Sequence, residues 1–198
     1  MDDLKRHFIP TLPRRYVSID GGTSTVGLTY FTVEDGKMVI LANHLLDVRK
    51  DDLPHEYLRV RHGPLITRIV RLKQMFQTWL DSLEHPPLMV FYESHFLNPK
   101  RPTSVIPLVR FMQVVEETLV ERGIVMETIA PQEMKRSIRV TGKLAKADKD
   151  AIRKAIKTLM IQGDISIVPL DALSEHEVDS IGIGYSGMLK YPGLSPTP

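Results

Sequence analysis

A chain of 198 residues, 42% hydrophobic and 25% charged, has the makeup of one folded domain, and at this length it buries roughly 70% of the surface its unfolded form exposes. The absence of cysteine excludes a thiolate zinc site, a cysteine nucleophile and a disulfide scaffold, and points to a reducing cytoplasm, the cell's own or a host's. The net charge of +2 says little about partners, and neither an apolar leader nor a run approaching the roughly 20 apolar residues of a membrane span is present, so no membrane partner is expected.

Residues 1–15 read as an irregular N-terminal arm, 16–190 as one folded domain and 191–198 as a loose, Pro-rich tail. Order begins with the β-prone Tyr16-Val17-Ser18-Ile19, which runs into the turn signal Asp20-Gly21-Gly22. Val26–Val33 and Lys37–Asn43 read as two more strands joined by Glu34-Asp35-Gly36, a favoured hairpin turn. The charged stretch 47–63, with Pro54 and Gly63, reads as a loop. From Pro64 the apolar residues Leu65, Ile69, Leu72, Phe76, Trp79 and Leu83 recur at helical spacing until His85-Pro86-Pro87. Leu88–Tyr92 is continuously apolar, as a central strand buried on both faces requires. A helix carrying Leu108, Met112, Val115 and Leu119, a strand Ile124–Ile129, a short helix near Gln132–Ile138 and a helix opened by Asp148 follow. Ser174 with Glu177 three residues on forms a capping-box pattern for a last helix reaching about Leu189. The order is α/β, with a mixed sheet made of a three-stranded antiparallel meander plus parallel strands, flanked by helices.

The acids fall where such a sheet builds its sites. Asp20 and Glu93 each end a strand, at the carboxyl edge where α/β sheets bind ligands, and His176 and Asp179 share one face of the last helix. Three acids brought together repel strongly unless cations are present, so a shared site implies metal. Oxygen ligands with one imidazole suit Mg²⁺ or Mn²⁺, and a pair of such ions about 4 Å apart is a recurring device for phosphodiester hydrolysis. Lys135, Arg136, Arg139, Lys143, Lys146 and Lys149 crowd into fifteen residues, with Arg153 and Lys154 continuing the run, a density suited to a phosphate backbone.

These residues resemble the RuvC-type Holliday junction resolvases of the ribonuclease H-like superfamily. The likeness runs from about Tyr16 to Leu189. It rests on Ile19-Asp20-Gly21-Gly22-Thr23-Ser24-Thr25-Val26-Gly27, on Tyr92-Glu93-Ser94-His95-Phe96, on Met134-Lys135 through Thr141-Gly142 to Ala147-Asp148-Lys149, and on His176–Gly184. The resemblance implies a homodimeric endonuclease that cuts four-way and related branched DNA by paired nicks, with two Mg²⁺ or Mn²⁺ per site. By it, Asp20 would bridge both ions, Glu93 would complete one and His176 with Asp179 the other; some members carry Asp where His176 stands. It also implies active-site roles for Lys135 and Lys149 and a stacking role for Phe96 on an unpaired base. Gly21-Gly22 in place of Pro-Gly, and a longer segment from Asp47 to Gly63, depart from the family pattern.

Other readings use the same residues. Asp20–Gly27 also resembles the first phosphate loop of sugar kinases and actin-like ATPases, but those proteins need two such domains, and no second loop of this kind follows Gly27. A non-catalytic junction-binding module would have no need of competent residues at all four ligand positions. Ribonuclease H-like enzymes acting on RNA–DNA hybrids or on precursor ribosomal RNA share the fold.

Overall fold

The computed structural model describes residues 14–49, 56–94, 105–140 and 149–191. The N-terminal arm up to residue 13 and the tail from 192 lie outside them, as do Phe96, Lys143 and Lys146; Lys149 lies within a helix, but its side chain is outside the description.

The strands β1 (Tyr16–Gly21), β2 (Thr25–Glu34), β3 (Lys37–Asp47), β4 (Met89–Glu93) and β5 (Val125–Ile129) form one sheet in the order β3-β2-β1-β4-β5. The first three are antiparallel neighbours, and β4 and β5 join parallel to β1, which is the mixed sheet expected from the sequence. The Asp35-Gly36 hairpin forms as read, with both residues at positive φ (50° and 74°), as a type I′ turn demands. β3 runs four residues beyond the expected Asn43. It is an edge strand, so polar Asn43 and His44 remain in the ladder without being forced into a core.

The helices are α1 (Glu56–Asp81), α2 (Val105–Glu121), α3 (Pro131–Ser137), α4 (Lys149–Gln162) and α5 (Glu175–Lys190). The segment before Pro64, read as loop, is a correction: it is helical from Glu56, and Gly63 (φ 79°, ψ 163°) marks a kink between two helical pieces. The Gly63-Pro64 pair ends the first piece and opens the second, where Pro is tolerated in the first turn. A single 3-10 turn at Leu170–Ala172, which periodicity does not foreshadow, precedes α5. The capping box at Ser174 is formed: its hydroxyl accepts from the Glu177 amide at 3.3 Å and its amide donates to Glu177 Oε2 at 2.8 Å.

Alternation along the strands sorts the side chains onto two faces. Val17, Ile19, Val90 and Tyr92 join Leu72, Phe76 and Trp79 of α1 and Phe111 and Val115 of α2. Tyr16, Phe31 and Phe91 face the other way, toward Met134, Ile156, Ile181 and Ile183 on α3, α4 and α5. On that second face α5 lies directly on the sheet; a β-carbon at Gly187 would run into the Phe91 ring. Ser18 Oγ donates to the Ser180 carbonyl at 2.6 Å, and Ser180 Oγ lies 2.6 Å from Thr29 Oγ1, so a buried polar seam holds helix and sheet in one register. No described helix is long and apolar enough to cross a membrane.

Candidate active site

The same alternation aims the acids. Ser18 faces α5, so Asp20, two residues on, does too. On β4, Phe91 faces α5, and Glu93 follows it. Ile19 pairs with Tyr92, so the next residues along these parallel strands are Asp20 and Glu93, side by side at the carboxyl edge. The Ser94 amide bonds the Ile129 carbonyl at 2.8 Å, which ties the strand end beside Glu93 to β5.

Helix α5 enters over this edge. Asp20 lies opposite Gly27 in the β1–β2 ladder, and the first turn of α5 rests on Gly27 so closely that a β-carbon there would collide with the His176 backbone carbonyl. That contact places the His176 ring against the sheet. Its Nδ1 lies 2.5 Å from Asp20 Oδ2 and its Nε2 lies 2.9 Å from Thr25 Oγ1. Gly27→Ala should therefore cost about 3 kcal/mol, the upper end of ordinary overpacking, and lower the melting temperature by roughly 6–12 °C. An unchanged melting temperature would show that α5 does not need this approach.

Electrostatics tie the remaining residues to the same place. Glu93 is pushed up to about 7, first by burial, then by the Asp20 and Asp179 carboxylates; Lys135 and His176 pull the other way. The Tyr92 hydroxyl is held well above the ordinary phenol range by burial and by Asp20 and Glu93 beside it. Its oxygen occupies the space a β-carbon would take at Gly21. Asp20, Glu93, His176, Asp179 and Lys135 are thus one electrostatic cluster. Arg136 is exposed on α3, and Arg139, also exposed and at φ 57°, acts on Tyr185 further along α5. Arg153 leaves the basic run for a structural duty, donating to the carbonyls of Leu170 and Leu173 and so holding the 3-10 turn that leads into α5.

Sequence reading missed Thr25, Tyr92 and Gly27 as parts of the site. Thr25 and Gly27 sit within the quoted turn motif, and period-two alternation from Gly27 was the available signal for Thr25. Nothing in the sequence announces that a tyrosine facing the opposite core sends its hydroxyl back to the carboxylates.

The donor set fits a hard divalent cation: oxygen-rich, with one imidazole, and with a buried glutamate whose ionisation is opposed by neighbouring acids. Among the described residues, no three His, Asp or Glu side chains are already closed around a single point as metal ligands would be. The Asp20–His176 hydrogen bond occupies atoms that ligation would use.

No protein-family model matches the chain, and no curated protein does. Its fold is shared with solved structures. Thermus thermophilus RuvC in complex with a Holliday junction substrate superposes with a TM-score of 0.57 at 16% identity, over 91% of this chain and 96% of that one. The yeast mitochondrial Holliday junction resolvase gives 0.61 at 12% identity, over 92% and 80%. The fowlpox virus Holliday junction resolvase gives 0.51 at 11%, over 89% and 98%. The resemblance drawn from the sequence holds at the level of the fold: a ribonuclease H-like sheet of the kind the junction resolvases carry.

Proposed function

We propose that this chain is a divalent-metal-dependent endonuclease that cuts four-way and related branched DNA, acting as a homodimer whose two sites make paired nicks. The observation that carries the reading is the cluster of Asp20, Glu93, His176 and Asp179 at the carboxyl edge of the sheet, with Glu93 pushed up to about 7 by burial and by the neighbouring acids. That placement on the resolvases' fold favours phosphodiester chemistry over simple DNA binding.

Asp20, Glu93, Asp179 and His176 would hold Mg²⁺ or Mn²⁺, two ions per site. Bound there, the cations supply Lewis acidity for the attacking water and for the departing 3′ oxygen. The chain's own groups do the rest. Glu93 gives up its proton before it can serve as a charged ligand. Thr25 fixes the His176 ring from its Nε2 side. Tyr92 stays protonated beneath the carboxylates and adds no further negative charge. Lys135, with Lys149, brings positive charge toward the scissile phosphate. Arg136, Arg139, Lys143 and Lys146 contact phosphates farther out, and Phe96 stacks on an unpaired base at the branch point. A homodimer would match the two-fold symmetry of the junction with its own.

The test is cleavage of an immobile four-way junction, a linear duplex of the same sequence and an RNA–DNA hybrid, each with Mg²⁺, with Mn²⁺ and with chelator. Paired nicks in the junction alone, abolished by chelation, are the expected result. Equal cutting of the hybrid would move the protein to a different branch of the fold, and ATP hydrolysis without any cutting would favour the phosphate-loop alternative. Phe96→Ala should lower junction cleavage by roughly tenfold, as loss of one stacked base at about 1–3 kcal/mol implies. Cleavage that stays normal would remove Phe96 from the substrate.

A further inference from the structure

The kinked helix α1 is far longer than the sheet it covers. Its second piece, from Pro64 to Asp81, already extends about 27 Å, whereas the six residues of β1 span about 20 Å, and the first piece is added beyond the Gly63 kink. The excess lies at one end. Counting from Glu56, the first buried described side chain is Thr67; Ile69, Leu72, Phe76 and Trp79 then pack on the sheet.

The topology says which end overhangs. β3 leaves the sheet beside the catalytic edge, where Asp47 pairs with Thr25 and the Val48 amide bonds the Ser24 carbonyl at 3.0 Å. At its other end α1 leads to β4, whose first residue, Met89, pairs with Tyr16 at the far edge. The second piece therefore starts on the side of the carboxylate edge and runs toward the opposite one, and the first piece joins it through the Gly63 kink on the side of Asp20 and Glu93.

Beyond its first residue, the charge of this overhang is basic. The helix's two acids stand at its ends, Glu56 three residues before Arg59 and Asp81 at the far end; from Tyr57 to Leu80 it carries Arg59, Arg61, Arg68, Arg71 and Lys73 and no acid. A merely solvated helix face usually alternates signs, with acids three or four residues from bases. Arg59 and Arg61 are exposed, and so are Tyr57 at 67% and Val60 at 77%. The Arg61 guanidinium lies 5.7 Å over the Tyr57 ring, a basic and aromatic surface turned outward. On the other face of the sheet, α3 brings Lys135 to the same edge. The acidic site is thus flanked by positive charge from both faces.

We infer that the overhanging first part of α1 is a second nucleic-acid contact, gripping the phosphate backbone of a duplex arm on the side of the site opposite α3. The inference rests on the proposed function and extends it to a surface within the segment that departs from the resolvase pattern. Its contribution is to position the arm and is independent of sequence, because guanidinium groups on phosphates carry no base information. A linear duplex should feel it as strongly as a junction arm.

The chain has no cysteine, so a single introduced thiol labels one place only. In an Asp20→Asn background, which should bind without cutting, Val60→Cys carries a fluorophore on the overhang. Ile167→Cys carries it at a site that is 86% exposed and lies near the start of β3, at the opposite end of the sheet, where Ile165 bridges Met38. A saturable fluorescence change on adding a four-way junction is expected for the first protein and not for the second. Replacing Arg59 and Arg61 together by Ala should weaken binding to junction and linear duplex alike, by roughly tenfold or more at 0.1 M salt. It should also reduce the slope of log affinity against log salt by about 1.8, the release expected for two phosphate contacts. A silent Val60 label and an unchanged slope, in a protein whose salt slope does fall on replacing Arg136 and Arg139, would overturn this inference and leave the proposed function standing. Failure of the parent protein to bind junction or duplex at any salt would overturn both.

Discussion

Asp20→Asn should abolish cleavage, by at least roughly 10³-fold or about 4 kcal/mol of barrier, while junction affinity stays within about threefold of the parent. The substitution removes one charge and almost no volume. The carboxamide oxygen of the variant can still accept from His176, so the contact across β1 and α5 survives. What is lost is a carboxylate that hydrogen-bonds His176 and acts on Glu93, the two other donors nearest it in the cluster. Affinity should hold because phosphate contacts made elsewhere dominate it. Rates measured under single-turnover conditions in Mn²⁺, beside a binding titration with the same junction, decide the matter. A variant that cuts within tenfold of the parent would remove Asp20 from the chemistry.

Glu93→Gln should make the metal-free protein more stable at pH 8, an outcome opposite to that of most substitutions at a buried position. The sign follows from linkage. The carboxyl has an ordinary value of 4.5 and is pushed up to about 7 in the fold, so the stability associated with its protonated form is fully present below 4.5 and is lost as the pH rises through about 7. At pH 8 the ionised Glu93 is held out of water by burial and crowded by Asp20 and Asp179, at a cost of about 3 kcal/mol. Glutamine escapes that cost. In chelator, the variant should melt roughly 5–10 °C above the parent at pH 8 and near it at pH 5. Excess Mn²⁺ should reverse the order, since cations bind the folded parent and stabilise it by mass action whereas the amide is a poor ligand. Melting curves that keep the same spacing at both pH values in chelator would mean that Glu93 is not held against neighbouring charge.

Much of the fold and the placement of the acids could be read from the sequence, for reasons that differ by element. Leu88–Tyr92 and the Asp35-Gly36 turn are local statements, a continuous apolar run and a dipeptide suited to positive φ, and both came out as read. Ser174 and Glu177 announce their helix because capping is chemistry within four residues. The first half of α1 was missed because a helix with no buried face has no apolar period to display; Tyr57, Val60 and the arginines around them look like loop until a neighbour is known. In the site, the strand-end positions of Asp20 and Glu93 were legible. The hydrogen bonds of His176 to Asp20 and Thr25 were not, since they span 156 and 151 positions and depend on how close α5 comes to Gly27.

The depth of α5 has a consequence for how this protein fails. Every residue from Ser180 to Met188 is buried, and Ser180 is sewn to β1 and β2 by hydrogen bonds. Such a helix has no cheap partial opening of its own. Its amides exchange with solvent only when the whole domain comes apart, and their protection reads out global stability. The end of α5 that carries His176 and Asp179 is only a turn away, so it inherits that all-or-none behaviour. Heat or a destabilising substitution elsewhere in the core should extinguish activity in step with the fold, without a prior stage in which an intact sheet carries a frayed and silent site.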